Sequence, residues 1–214
     1  MASSTTANAM VAPAKKVLVP IAFGIEEIEA TVIVEILRRS GAEVTVASVE
    51  QDLQIEASRR VKLVPDDKLE SCMPGSSRLR DSELLKRMTV AQSEQGKLVA
   101  TICVAPAVAL QEWGILEGRK ATCHPSFIDK LTSSLTVGSK VQTDGHINTS
   151  RGPGTAIESA LSPVEQLYGK QKFEEVLVPL ANGSEEMEAV MIIDILRRAG
   201  MSVTVTSIEK FSAD

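Results

Sequence analysis

The sequence is poor in aromatic residues, in positive charge and in long apolar runs, and the last two shortages each exclude a class of partner. Aromatic residues make up 3% of the 214-residue chain, so a core must be built mainly from Val, Ile, Leu and Ala. The formal net charge is −5, which leaves no excess of positive charge for nucleic acid or anionic membranes. No apolar run approaches the roughly 20 residues that a membrane span needs. We therefore expect neither a nucleic-acid partner nor a membrane partner.

Cysteine is also scarce, and its spacing argues against disulfides and metal ligation. The chain has three cysteines, Cys72, Cys103 and Cys123, and no CxxC pair. An odd number without a framework is typical of a reducing compartment. Cys123 and His124 are adjacent, so on a strand their side chains would point to opposite faces and could not share a metal. Residues 1–14 are expected to be a short disordered tail rather than a targeting signal, which makes the cytoplasm the default location.

What the sequence does contain is an internal repeat. Residues 17–50 return as residues 176–209 at a constant offset of 159, and 21 of the 34 positions are identical. This period is far longer than that of solenoid repeats. The pattern indicates two tandem copies of one domain.

Both copies show the same order of elements. "VLVP" is a short, continuously apolar run that predicts a buried strand. The acidic first turn of "EEIEATVIVEILRRSG", its final "RR" and Gly41 predict a helix with a glycine C-cap. "EVTVASV" predicts the next strand. A strand–helix–strand unit of this length favours parallel strands joined by a right-handed crossover.

Beyond this unit the first copy is interrupted. Nothing between Val64 and Leu84 resembles a central strand, so we expect one strand to be missing near positions 72–73. We assign residues 15–170 to one domain lacking that strand, and residues 174–214 to a partial second copy. Since one βαβ unit cannot cover both faces of a sheet, the partial copy must dock on the first copy or on another chain, or stay poorly ordered, and we favour weak docking.

The remaining elements alternate again. The stretch after Gln95 predicts a strand, a helix, a short strand, a short helix, a hairpin with its turn at Asp144-Gly145, and a closing helix. Pro163 lies inside the closing helix and should kink or interrupt it. The corresponding stretches are "KLVATI", "APAVALQEWG", "GRKATCH", "PSFIDKL", "KVQTDGHINTS" and "TAIESALSPVEQLYGK".

Cys103 lies between the strand "KLVATI" and the helix that follows it. Such a junction presents a side chain at the carboxyl edge of the sheet, where α/β folds bind ligands. The partial positive charge of a helix N-terminus would stabilise a thiolate and lower the pKa of the thiol. The alternative is a cysteine that is simply buried, because free cysteine is among the most buried residue types.

Four separated motifs resemble the DJ-1/PfpI family, the Parkinsonism-associated deglycase group, and in particular its tandem-domain plant members. The motifs are "EEIEA", "ATICVAPAVAL", "ATCHP" and "TSRGPGT". The resemblance covers residues 15–170 and 174–214. It implies an α/β, flavodoxin-like sandwich with a doubly wound, mostly parallel sheet. Because the family commonly dimerises, a homodimer is among the expected assemblies, and the nucleus joins the cytoplasm as an expected location.

The resemblance also implies a cofactor-free and metal-free glyoxalase or deglycase. The family's reactive cysteine corresponds to Cys103, its conserved glutamate to Glu29 and its pocket histidine to His124. Cys103 would add to a 2-oxoaldehyde such as methylglyoxal, or attack a glycated substrate, and Glu29 would act as acid or base. The second hypothesis is a non-enzymatic redox sensor or chaperone-like protein that works through oxidation of Cys103.

Several other residues are expected to have structural roles. Glu26 and Glu27 are interpreted as a solvated first helical turn, and His146 as a solvated turn residue. Cys123 is interpreted as a buried strand cysteine. His124 could equally be a neutral ring packed beside Pro125.

One departure from the family pattern bears on activity. Members carry a strand ending in "LPGG", whose glycine amides help to form the oxyanion hole; here Cys72 runs directly into Met73. Loss of one oxyanion donor can cost about 100- to 1,000-fold in rate. We therefore expect impaired turnover, and an unstable fragment without independent function is a third hypothesis.

The resemblance places residues 150–154 in a loop that supports the site.

Overall fold

The computed structural model describes residues 14–69 and 82–181, together with residues 190, 191 and 194. The strands are β1 Lys16–Ile21, β2 Glu43–Ser48, β3 Ile55–Glu56, β4 Lys62–Leu63, β5 Asp67–Lys68, β6 Val99–Ile102, β7 Lys120–Ala121, β8 Leu135–Thr136, β9 Val141–Asp144 and β10 Ile147–Ser150. The α-helices are α1 Glu27–Arg39, α2 Glu83–Glu94, α3 Ala156–Tyr168 and α4 Lys170–Ala181. The predicted α/β class is confirmed. The expected tail lies outside the described residues, except for Ala14.

The first βαβ unit forms as its sequence predicts. β1 and β2 pair in parallel from Lys16 opposite Glu43 to Ile21 opposite Ser48. α1 connects them and ends in two arginines, and Gly41 follows with a φ of 85°. The apolar face of α1 packs with α3 in the main core cluster, where Ile36 is completely buried. This unit fixes the position of the first turn of α1 relative to the carboxyl edge of β1.

Six of the described strands form two three-stranded sheets rather than one continuous sheet, and the other four pair as β3-β4 and β7-β8. One has the order β1-β2-β5 and the other the order β6-β10-β9. β1 and β6 are therefore both edge strands within the described residues. Val17 and Val19 of β1 and Ile102 of β6 nevertheless pack against the same cluster beneath α1 and α3. The predicted gap near residues 72–73 lies outside the described residues.

Three elements in and next to the second sheet, one hairpin and two helices, differ from their predicted form. The hairpin turn is formed by Gly145 and His146, one residue later than expected, because Asp144 already pairs with Ile147. The helix after Cys103 is a π-helix over only Pro106–Leu110 and is followed by turns, where we expected a longer helix. α3 is not interrupted at Pro163, which is buried within the helix. Burial of this face offsets the cost of the lost backbone hydrogen bond.

The apolar segment of the second copy is not a strand. Residues 176–181 repeat residues 17–22, yet they form the second half of α4, which packs against α3. Val176 is buried in the same cluster as Ile36. The prediction of a strand here was wrong: these residues continue α4, and a helix satisfies its backbone hydrogen bonds internally.

Two other residues of the second copy contact the first. Met191 packs against the main cluster, and the carboxylate of Asp194, 1% exposed, lies 3.9 Å from the guanidinium of Arg59. Met191 and Asp194 repeat Val32 and Glu35 of α1. These contacts place both residues on the surface of the first domain.

Candidate active site

Cys103 occupies a sharp turn at the carboxyl end of β6. Its φ is 66°, a left-handed conformation that residues other than glycine rarely adopt. Two hydrogen bonds hold the turn: the Cys103 N–H donates to the Ser150 carbonyl at 3.0 Å, and the Cys103 carbonyl accepts from the His124 N–H at 2.7 Å. Such strain persists only where the surroundings over-determine it, and it is concentrated at functional sites.

Glu29 reaches Cys103 from the first turn of α1. Its side chain is 5% exposed and is hydrogen-bonded to the Cys103 thiol. The helix starts at this point because the Glu26 carboxylate accepts a hydrogen bond from the Glu29 N–H at 3.1 Å, as an N-cap does. Two residues separated by 74 positions in sequence are thereby brought into contact.

The surroundings keep the Cys103 thiol protonated. Burial, and then the charge and hydrogen bond of Glu29, raise its pKa to about 12, and Glu26 adds to the effect. The Val104 N–H opposes the shift by donating to the sulfur. The expectation of a lowered pKa was wrong because burial, together with the charge and hydrogen bond of Glu29, outweighs the single Val104 N–H that favours the thiolate.

His124 contributes its backbone to the turn and leaves its ring half-buried. The Ser126 N–H donates to Nδ1 of the ring at 3.2 Å. Because Nδ1 accepts, a neutral ring carries its proton on Nε2. The ring packs edge-on against Phe127, with centroids 6.3 Å apart.

Gly152 closes the site from the loop after β10. Its φ of 155° lies in a region that glycine alone adopts readily. A Cβ at this position would lie 3.6 Å from the His124 ring and 3.9 Å from the Glu29 carboxylate. The His124 ring, the Glu29 carboxylate and the 150–154 loop therefore meet at one place, around the turn that carries Cys103. Sequence reasoning placed the loop there by resemblance, without identifying Gly152 as the point of approach.

Glu27 differs from its predicted solvated state. It is completely buried, and its carboxylate accepts hydrogen bonds from the Ser58 hydroxyl at 2.9 Å and the Arg59 N–H at 3.1 Å. Glu26 is half-buried. The loop between β3 and β4 thus fixes the first turn of α1, and with it Glu29. Sequence alone could not show this, because the partners lie more than 30 positions away.

The other cysteines and His146 have separate surroundings. Cys123 is buried, as expected, but lies just beyond β7, and burial raises its pKa. His146 is half-buried and contacts the Ser93 hydroxyl at 3.2 Å, so it is not simply solvated. Cys72 lies outside the described residues.

Three carboxylates outside the cysteine site come close to one another. Oxygens of Glu26, Glu27 and Asp194 lie within 4.8 Å of each other, the one such group in the described part of the chain. Glu27 is engaged by the loop that precedes β4, and Asp194 faces Arg59. Hydrogen bonds and an ion pair account for this cluster without a metal.

Comparison with known proteins identifies the family. The model of the DJ-1/PfpI family matches residues 15–166. The chain belongs to the DJ-1/PfpI family. Its similarity to solved DJ-1 structures confirms the flavodoxin-like fold: it superposes on "Toxoplasma gondii DJ-1, oxidized" with a TM-score of 0.74 and 41% identity, over 78% of this chain and 98% of that one.

Curated DJ-1 relatives extend the comparison beyond the first domain. Protein DJ-1 homolog B of Arabidopsis thaliana is 42% identical over 91% of this chain and 55% of its own length, so the chain spans about half of that relative. The glutathione-independent glyoxalase DJR-1.2 of Caenorhabditis elegans is 31% identical over 72% of this chain and 89% of its own length.

None of the described helices is long and apolar enough to cross a membrane.

Proposed function

We propose that this DJ-1/PfpI chain is a cysteine-dependent, cofactor-free glyoxalase that converts small 2-oxoaldehydes such as methylglyoxal to 2-hydroxy acids. The observation that carries the proposal is the hydrogen bond between the Cys103 thiol and the Glu29 carboxyl at a strained turn. The relative from Caenorhabditis elegans, named a glutathione-independent glyoxalase, supports the reaction class.

The reaction begins with base-assisted attack. Since the pKa of Cys103 is raised to about 12, a free thiolate is scarce at neutral pH. Glu29 instead takes the thiol proton as the sulfur bonds to the aldehyde carbon. The carbonyl electron pair moves to oxygen, which receives that proton, and a hemithioacetal forms.

The second stage moves a hydrogen between adjacent carbons. Glu29 removes the proton from the carbon bonded to sulfur, giving an enediol, and a proton is returned to the neighbouring carbon. The aldehyde carbon is thereby oxidised to a thioester while the ketone is reduced to an alcohol, so no external oxidant is needed. Water cleaves the thioester to the hydroxy acid and regenerates the thiol. His124, with its proton on Nε2, is suited to assist these transfers.

Lactate formation from methylglyoxal by the purified chain tests the proposal. We expect Cys103→Ala to abolish activity, and Cys123→Ala, which changes a cysteine outside the site, to retain it. Equal activity in the wild type and Cys103→Ala would rule out the mechanism. We also expect turnover below that of relatives with the "LPGG" strand, which the same assay on such a relative measures.

Oxidation of Cys103 is a second candidate function, favoured by a sulfur that is only half-buried. The structure of the Toxoplasma gondii relative is described as oxidized. A sulfinic acid at Cys103 would place oxygen atoms within reach of the Glu29 carboxyl. Peptide mass analysis after mild peroxide treatment should find two added oxygens on the Cys103 peptide, and an unmodified peptide would contradict this role.

A further inference from the structure

Among the described residues, β1 and β6 each have one edge without a paired strand, and the repeated apolar segment matches β1 in sequence. We propose that residues 176–181 of the second copy are a replacement strand, which leaves α4 and pairs between β1 and β6 to close the split sheet. The structure shows this segment in its withdrawn, helical form.

The edges available to it can be identified from the hydrogen bonds. The Lys15 and Ile21 carbonyls bond toward β2, so in this parallel ladder the Leu18 N–H points to the other side, where none of the described strands pairs. The Val99 and Cys103 N–H groups bond toward β10, so the Ala100 N–H likewise points away from it. Unpaired apolar edges of this kind are templates for another strand.

The segment repeats the sequence that forms β1. Residues 175–181 read "EVLVPLA", against "KVLVPIA" for residues 16–22, which include β1. Val176 and Val178 are β-branched, and Pro179 cannot donate within a helix, so α4 is a locally unfavourable state for these residues. In β1 the same motif forms a parallel ladder with β2.

The chain emerges at the correct end of the sheet. α3 follows the carboxyl end of β10 and ends at Tyr168, whose hydroxyl accepts a hydrogen bond from the Lys15 N–H at 3.3 Å, beside the start of β1. A strand that starts here runs parallel to β1. Gly169, with a φ of 85°, provides the bend, and the six residues from Lys170 to Glu175 can extend to about 20 Å.

The connection also has the required hand. α1 and α3 pack against each other and therefore cover the same face of the sheets. A path from β10 over α3 to the open position moves in the same direction, across the same face, as the path from β1 over α1 to β2. By the general rule for parallel crossovers both are right-handed.

Residue-resolved amide exchange of the full chain tests the proposal. We expect the Leu18 and Ala100 amides to exchange at least about 100-fold more slowly than in an unfolded chain. Val178→Lys places a charge in a strand buried on both faces, and should accelerate both amides about tenfold or more. The Val19 amide, which bonds toward β2, reports on the fold itself and should not change. Gln171→Lys, on an exposed position of α4, is the matched control and should change neither.

Two results would overturn the proposal. One is free-chain exchange at Leu18 and Ala100 in the wild type while Val19 stays protected. The other is protection that survives Val178→Lys, which would mean that another segment, such as residues 70–81, pairs with the edges. If Val178→Lys also releases Val19, the protein has unfolded, and the milder Val178→Gly decides by the same ratio of Leu18 to Val19. The readout does not involve activity, so it stands apart from the proposed reaction.

Discussion

The two copies of the repeat begin with the same apolar motif and use it differently. In the first copy "VLVP" lies in β1 beside β2, and in the second it lies in α4 against α3. In the first copy Cys103 meets Glu29. The second copy contains no cysteine, because all three cysteines of the chain lie in the first copy. The same apolar motif can therefore form either a strand or a helix, so its sequence predicts burial better than it predicts backbone conformation.

The largest expected difference between the copies is catalytic. Glu29→Gln removes the base beside Cys103 and should lower the rate of lactate formation by about 100-fold or more. Glu188→Gln changes the repeated glutamate, which has no cysteine in its own copy, and should leave the rate within about twofold. Equal losses of kcat/KM in the two variants would contradict a catalytic role that belongs to Glu29 and not to Glu188.

The second difference concerns packing. Val32 is 2% exposed in the core, so Val32→Ala should lower the free energy of unfolding by about 2 kcal/mol. Met191, its repeat, is only partly buried, and Met191→Ala should cost less than about 1 kcal/mol. Urea unfolding of the full chain measures both, and a larger loss in Met191→Ala would show that the second copy carries more of the core than its contacts indicate.

The third difference is the reactive thiol itself, because the second copy contains no cysteine. The reactivity of Cys103 can be followed by the pH dependence of its alkylation. The pKa of Cys103 is raised from 9.0 to about 12, so its alkylation should keep rising with pH above 9. The folded state holds this proton more tightly than the unfolded one. Its contribution to stability is therefore fully present below pH 9 and lost as the pH rises toward 12.

Glu29→Gln removes a charge that raises this pKa and should increase the alkylation rate at pH 8 by about tenfold, the equivalent of one pKa unit. Glu188→Gln should have no effect on the Cys103 rate. Mass spectrometry of the Cys103 peptide follows the reaction, and a slower reaction in Glu29→Gln would contradict the assigned cause of the shift.

The smallest difference concerns the two prolines of the motif. The nitrogen of Pro20 faces the side of β1 away from β2, so Pro20→Ala should change the free energy of unfolding by less than about 0.5 kcal/mol. Pro179→Ala restores a donor near the end of α4 and should stabilise that helix locally by about 1 kcal/mol. Helix content by circular dichroism should rise only in Pro179→Ala; a rise in Pro20→Ala would contradict the assignment of β1.

Prediction from sequence succeeded where local pattern and tertiary environment agree. The apolar stripe and acidic first turn of α1 predicted its position, and the alternation around Asp144 predicted the hairpin to within one residue. The resemblance brought Cys103, Glu29 and His124 together as candidates, and the structure places their backbones or side chains at one turn. Their catalytic roles remain predictions.

Prediction failed where partners distant in sequence decide the outcome. The burial of Glu27 depends on Ser58 and Arg59, and the raised pKa of Cys103 depends on a glutamate 74 positions earlier. Neither partner is visible in the local pattern of charges. An acidic first turn therefore looked solvated, and the cysteine at a helix start looked activated.

The repeat, the α/β class and the junction that carries Cys103 can be read from the sequence alone. Local propensity, apolar spacing and the order of motifs are sufficient for these features. Only the tertiary structure decided that one "VLVP" is a strand and the other a helix, because backbone pairing depends on which neighbours are present. It also decided the protonation of Cys103, since burial and a facing carboxylate outweigh a single helix-end amide.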